Sequence, residues 1–387
     1  MYSQLNEEQK LHRIFEIIGV KHFTAVEFGA GDGFTYSNTR ALEAERDFQL
    51  FMFDREPGHP SVFQADITCG NVEEVFRLHH VPHHFDLLSL DIDGNDFWVW
   101  QALKTFRPRV VVIEFNQCRD GCMTIKENPA HAFASTDYYG ATYEAMKILG
   151  DSKRYLLVDR TAWNMIFVAF EDVTGELGLA EPWVFDPQLR GWGGDRRGLP
   201  WVEIASGFDG DDLLRRHFDN LVFTHAIDTI VETGTWKGGS TRYFAGMVKK
   251  VVSYEVNASS HAEAQEQLKG LDVDLRLGNS GDELYAGGPD EKVLYFLDAH
   301  WYNYCPLLDE LRIIAAAVNT GRPKPVIVIH DFKVPGTDFG FDTWGDLVYD
   351  WPHISEMIEA IGPRYEIHYP SEVSGAMRGY ITITWPQ

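Results

Sequence analysis

The sequence predicts an α/β protein built as two tandem doubly wound, Rossmann-like domains. Three observations predict it. Short apolar runs alternate with helical spacings in both halves, and runs hydrophobic along their whole length belong to parallel strands covered on both faces. One such run in each half breaks into a glycine turn, at Val26-Glu27-Phe28-Gly29-Ala30-Gly31-Asp32-Gly33 and at Ile230-Val231-Glu232-Thr233-Gly234-Thr235-Trp236-Lys237-Gly238-Gly239. After each turn the same features follow in the same order, so one unit is written twice.

Taken in order, Leu11, Ile14, Phe15, Ile17 and Ile18 recur at helical spacing over Glu7 to Gly19 and predict a helix that covers the sheet. The first strand runs from Thr24 to Phe28, where glycines let the backbone turn sharply against a ligand. Thr35, Ser37, Asn38 and Thr39 suit the first turn of a helix whose free amides face that ligand. Strands at Leu50 to Phe53 and near Val62 to Gln64 follow, then a helix over Asn71 to Leu78. The run Phe85 to Leu90 ends in Asp91-Ile92-Asp93-Gly94-Asn95-Asp96, and a helix over Phe97 to Lys104 leads to the strand ending Ile113-Glu114-Phe115-Asn116. A helix over Tyr143 to Leu149 and a hairpin of Tyr155 to Val158 with Met165 to Phe170 close the first domain, 1–172. Residues 173–212, crowded with Gly, Pro and Trp around 191–198, predict a linker that packs down. The second domain, 213–387, repeats the series with Val251 to Glu255, Leu294 to His300 and Val326 to Asp331.

With 387 residues, each half can bury a core of its own. A formal charge of −24 disfavours polyanionic partners, because nucleic-acid binding needs Lys and Arg to replace counterions. No nucleic acid and no membrane is expected as a partner. The polar, acidic start and the lack of an 18-residue apolar run suggest a cytoplasmic protein. Four cysteines, Cys69, Cys118, Cys122 and Cys305, make neither a disulfide framework nor a four-ligand zinc pattern.

Asp32 bears on the cofactor. A carboxylate inside the turn would repel a pyrophosphate, whereas S-adenosylmethionine (SAM) carries a sulfonium and an ammonium and no phosphate. The spacing is G-x-G-x-G. Asp54, about 20 residues after the turn at the end of the second strand, can accept both ribose hydroxyls. Glu255 holds the equivalent position in the second half. The cofactor-binding candidates are therefore Glu27, Gly29, Gly31, Gly33 and Asp54, and in the second half Glu232, Gly234, Gly238, Ser240, Glu255 and Asn279.

The first half, through "VEFGAGDG", "SNT", "DLLSLDIDGND" and "VVVIEFN", resembles FkbM-type SAM-dependent methyltransferases. Through "VETGTWKGGST", "YFLDAHW" and "VIHDF", the second half is similar to macrocin O-methyltransferases and the cephalosporin-hydroxylase-like group. Both resemblances imply class I methyltransferase folds acting on hydroxyls of sugars and glycosylated natural products, so the acceptor is expected to be a small molecule or glycan. Asp66 lies where such folds hold the adenine amine. Asp91 and Asp93 are candidate bases for the acceptor hydroxyl; the alternative is that Asp91 contacts the cofactor while Asp93 to Asp96 turn the chain and cap the next helix. In the second half the resemblance implies a divalent metal held by carboxylates near Asp298, His300, His330 and Asp331. His300 and His330 depart from that pattern, so a softer metal, a histidine base at His300 or His330, or a lost site all stay open. An inactive half serving binding or dimerisation, a homo-oligomer, and a nucleotide-dependent oxidoreductase are the competing readings.

Overall fold

A computed structural model describes residues 2–130, 136–180, 201–301, 304–344 and 347–386. The chain divides into two compact units, Met1–Ile204 and Ala205–Gln387. The Gly/Trp-rich stretch 181–200 lies outside the described residues, and with it the expectation that its tryptophans pack down.

In chain order the first unit contains α1 (Glu7–Ile18), β1 (Thr24–Phe28), α2 (Arg40–Arg46), β2 (Gln49–Asp54), β3 (Val62–Gln64), α3 (Val72–Leu78) and β4 (His84–Leu90). It continues with α4 (Asp96–Ala102), β5 (Arg107–Glu114), β6 (Met123–Ile125), α5 (Tyr143–Ser152), β7 (Tyr155–Arg160), β8 (Asn164–Ala169) and β9 (Trp201–Glu203). Seven strands form one sheet in the order β3-β2-β1-β4-β5-β8-β7, while β6 pairs with β9. Pairing is parallel from β3 to β5, and β8 runs antiparallel to both its neighbours. The continuous apolar runs have a direct physical origin. Alternate residues of one strand face opposite layers, and both layers are dry. Ala25, Leu87, Val110 and Val112 pack with Leu11, Ile14 and Phe15 of α1, whereas Val26, Phe28, Leu88, Val111 and Ile113 pack with Phe76, Trp100 and Leu149 on the other face.

The second unit repeats the plan: α6 (Asp212–His225), β10 (Thr229–Thr233), α7 (Gly239–Ala245), β11 (Lys250–Glu255), α8 (Ala258–Gln267), β12 (Val273–Leu277) and β13 (Val293–Leu297). Then come α9 (Leu307–Asn319), β14 (Val326–His330), β15 (Thr343–Trp344), β16 (Leu347–Val348), α10 (Trp351–Ile361), β17 (Glu366–His368) and β18 (Tyr380–Thr384). Its sheet has the order β12-β11-β10-β13-β14-β18-β17, again with the sixth strand reversed. Ile230, Phe296 and Val328 bury against Leu214 and Phe218 of α6, and Val231, Leu297 and Ile329 against α9 and α10 through Leu311, Ile354 and Ile358. None of the four cysteines is joined in a disulfide. Among the described residues no helix is long and apolar enough to cross a membrane.

In both units the strand order reverses between the first and fourth strands of the sheet, and the glycine turn follows the first. Open α/β sheets bind ligands in the crevice opened by such a reversal.

Candidate active site

The first unit holds a cavity of about 790 Å³ at the carboxyl ends of β1, β2, β4 and β5. The glycine turn forms one wall. Gly29 adopts φ +73°, and a Cβ there would lie 1.6 Å from the carbonyl oxygen of Asp91, so only glycine lets the turn reach the end of β4. Gly31, at φ +52°, has nothing within 4 Å of where its Cβ would be, and it faces the cavity. Gly33 is constrained by its neighbours instead, with Val62, Arg40 and Met52 crowding its missing side chain. Asp32 folds back on its own turn, accepting from the amides of Phe34 and Thr35 and the Thr35 hydroxyl, and these bonds hold its carboxyl below the usual range.

Asp54 sits at the end of β2 as expected. One oxygen accepts the Gly31 N–H at 2.8 Å and the other the Glu56 N–H at 2.7 Å, which fixes the carboxylate against the turn. The segment before α2 differs from the sequence reading. Helix α2 begins at Arg40, and the Ser37 and Thr39 hydroxyls each donate to buried Glu27 at 2.6 Å, joined by the Asn38 N–H at 2.8 Å. A buried acid demanding donors has outcompeted the helix start for these groups. Burial raises the Glu27 carboxyl in spite of those bonds. Asp66 lines the cavity and pairs with Arg55 at 2.8 Å.

The ends of β4 and β5 bring three carboxylates together. One oxygen from each of Asp91, Asp93 and Glu114 lies within 4.8 Å of the others. Burial is the largest cause raising all three carboxyls; Asp96 and Asp93 add to it at Asp91, Asp54 at Asp93, and Asp91 at Glu114. Asp93 takes φ +57°, a left-handed conformation that aspartate tolerates and that re-aims its side chain. The turn itself is closed by another residue. Asp96 accepts the Ile92 and Gly94 amides at 2.8 and 2.9 Å, and Asn95, at the helix N-cap, makes no capping bond. Asp93 is thereby released from the capping role allowed to it. Glu114 escaped the sequence reading because what marks it, its approach to Asp91 and Asp93, is set by the pairing of β4 with β5.

The second unit reproduces the carboxylate clamp on the turn and the buried acid beneath it. Glu255 accepts the Trp236 and Asn257 amides at 2.8 and 2.7 Å, as Asp54 does those of Gly31 and Glu56. Glu232 accepts from Ser240, Thr241 and Ser253, and burial pushes its carboxyl up to about 7. The Ser240 hydroxyl is thus directed at Glu232. A Cβ on Gly234 would lie 2.7 Å from the Asp298 carbonyl oxygen, and one on Gly238 would meet Leu268 at 3.1 Å. Asn279 accepts the Gly281 amide at 2.9 Å.

At the strand ends of this unit Asp298, His330 and Asp331 converge, as do His300, Asp331 and Asp342. His330 Nδ1 lies 2.9 Å from Asp298 Oδ1, and His300 Nε2 is 3.7 Å from both Asp331 and Asp342. The sequence reading missed Arg378, whose guanidinium donates to both Asp331 and Asp342. That bidentate cation already neutralises the two acids, so this set fits a divalent ion poorly. The local cavity is about 10 Å³.

The strand order with one reversed strand, the glycine turn after β1 and the acid ending β2 define a Rossmann-like, class I methyltransferase fold, and β10 and β11 carry the same features in the second unit. No protein-family model matches the chain and no curated protein does. Similar solved structures include the O-methyltransferase TomG of Streptomyces achromogenes in complex with SAM, at 18% identity and TM-score 0.33, covering 48% of this chain and 82% of that one. The O-methyltransferase of Bacillus cereus in complex with SAH is 18% identical, with TM-score 0.31, 44% of this chain and 80% of that one covered. The SAH-bound Podospora anserina methyltransferase PaMTH1 is 18% identical, with TM-score 0.30 and coverage of 45% and 79%.

Proposed function

We propose that the chain is a SAM-dependent O-methyltransferase whose active centre is the cavity of the first unit, with an acceptor hydroxyl on a sugar, glycan or glycosylated small molecule. One observation carries the cofactor reading. Eight carboxylate side chains and one guanidinium line the cavity, and that guanidinium, Arg55, is paired with Asp66. Such a wall attracts a sulfonium and an ammonium and repels the pyrophosphate of a dinucleotide, which disfavours an oxidoreductase. In this reading Asp54 accepts ribose hydroxyls, the open face of Gly31 admits the nucleoside, and Asp91, Asp93 and Glu114 face the acceptor. The sugar hydroxyl as acceptor rests on the FkbM-like and macrocin-like motifs.

Calorimetric titration of the full chain tests this. Saturable SAM binding with no heat from NAD is expected, and NAD binding without SAM binding would overturn the reading. The second unit is read as a binding module whose chemistry has been set aside, supported by the guanidinium of Arg378 placed across its acid cluster. Methyl transfer to a panel of glycosides should then survive His330→Ala and be lost in Asp91→Asn.

A further inference from the structure

We propose that Gln4, Tyr36 and Trp163 form a subsite for the ring of a neutral pyranoside at the mouth of the first unit's cavity. The proposal rests on the reading that the acceptor enters this cavity, which it deepens, and it does not depend on the cofactor. All three residues line the cavity. Tyr36 is 65% exposed and Gln4 is exposed, while Trp163 is half-buried. Among the described residues, the Gln4 amide, the Tyr36 hydroxyl and the Trp163 indole N–H make no hydrogen bond within the chain. Their place in the sheet order separates them from the nucleoside. Asp54 ends β2 and Asp66 follows β3. Trp163 lies in the turn between β7 and β8, and its carbonyl accepts the Phe115 N–H at 2.9 Å, just beyond Glu114 on β5. Tyr36 precedes Ser37 and Asn38, and the Asn38 side-chain amide donates to the Ser89 hydroxyl on β4 at 3.0 Å. With the order β3-β2-β1-β4-β5-β8-β7, the two rings stand on the β4 and β5 side, with Asp91, Asp93 and Glu114, and the ribose and adenine candidates stand on the other.

The walls of this mouth are tied to one another. Fully buried Glu7 accepts the Leu5 N–H through one oxygen at 2.9 Å, and through the other the Thr161 hydroxyl and the Asn164 side-chain amide, at 2.8 and 3.1 Å. It thereby joins the segment that carries Gln4 to the turn that carries Trp163. Ser3 forms a parallel bridge with Tyr36, which joins the same segment to the chain leaving the glycine turn. Tyr36 itself holds φ +63°, a conformation costly for an aromatic residue and kept only where the surroundings impose it. Strain of this kind collects at ligand clamps, and here it holds a ring in solvent at the edge of a cavity. The chemistry of the three groups selects the ligand. The face of an aromatic ring is negative, and the axial C–H groups of a pyranose, polarised by the ring oxygens, stack on it. An amide, a phenol and an indole N–H at the edges then meet sugar hydroxyls as donors and acceptors. None of the three is charged, so they favour neither an acid nor an amine.

The test is titration of the full chain, by calorimetry and saturation-transfer NMR, with methyl α-D-glucopyranoside, methyl α-D-galactopyranoside and methyl α-L-rhamnopyranoside, and with catechol as a planar alternative. Saturable binding of at least one pyranoside is expected. Trp163→Ala and Tyr36→Ala should each weaken it about tenfold, whereas Trp163→Phe, which keeps a ring, should retain it. Gln4→Ala, at an exposed position outside every helix and strand, should act in the same direction and guards against an aromatic variant that does not fold. Absence of saturable pyranoside binding, binding indifferent to all three alanine variants, or Trp163-dependent binding of catechol in place of the sugars would each overturn the proposal. SAM titrated into the same samples keeps the two readings apart. Pyranoside binding without SAM binding would sink the cofactor reading alone, and SAM binding without pyranoside binding would sink this subsite alone.

Discussion

Neighbouring glycines of one turn do different jobs, and substitution separates them. At Gly29 a methyl group would be driven into the Asp91 backbone, so Gly29→Ala should cost the first unit about 3 kcal/mol, through overpacking and a left-handed alanine together. At Gly31 the methyl meets open space, and Gly31→Ala should cost only about 1–2 kcal/mol in backbone strain while obstructing the cofactor. Denaturant titration paired with SAM calorimetry distinguishes the two; equal stability losses would show that the turn is not seated against β4 as described. Asp54→Asn and Glu255→Gln make a second comparison. Where a carboxylate accepts cofactor hydroxyls, the change should weaken SAM binding by about 1.5–3 kcal/mol, so the effect is expected at Asp54 and absent at Glu255 if only the first unit takes the cofactor.

Strands and their succession along the chain were legible in the sequence because period and composition encode them locally: Thr24–Phe28 comes out at the residues expected. Asp54 was legible for the same reason, as an acid closing an apolar run. What escaped were pairings decided by three-dimensional proximity. Arg378 reaches Asp331 across 47 positions, and no spacing announces it. Glu27 captured Ser37 and Thr39 because a buried carboxylate needs donors more than a helix start needs those hydroxyls. Helix α6 supplies a test of packing at this scale. His217 lies with Nε2 2.8 Å from the Thr382 hydroxyl and its ring stacked on His368 at 5.1 Å, and burial together with that second imidazole lowers it to about 4. Because it is held neutral in the fold, the unfolded chain binds more protons between pH 4 and 6.5. Stability of the second unit should therefore fall by about 3 kcal/mol as pH drops through that window, and be unaffected above it. Thermal unfolding followed against pH should show this dependence shrink in His217→Gln; an undiminished slope would assign it elsewhere.

Each unit buries its own core on both faces of its own sheet, so the full chain should unfold in two calorimetric transitions. Saturating SAM, at about 100 times its Kd, should stabilise the cofactor-binding unit by about 2.7 kcal/mol and leave the other where it was. A shift of both transitions would require a cofactor site in each unit. The matched pair of carboxylate-to-amide clamps, Asp54 on Gly31 and Glu56 and Glu255 on Trp236 and Asn257, bears on where the two units can differ. Clamps of this kind hold the backbone of the turn without help from the side chains at the ends of β4 and β5. Glu27 and Glu232 are buried with their donors inside each frame, whereas Asp91, Asp93 and Glu114, and their counterparts Asp298, His300 and His330, stand at the strand ends. Two like frames thus carry three carboxylates at the strand ends of one unit and a carboxylate with two imidazoles at those of the other.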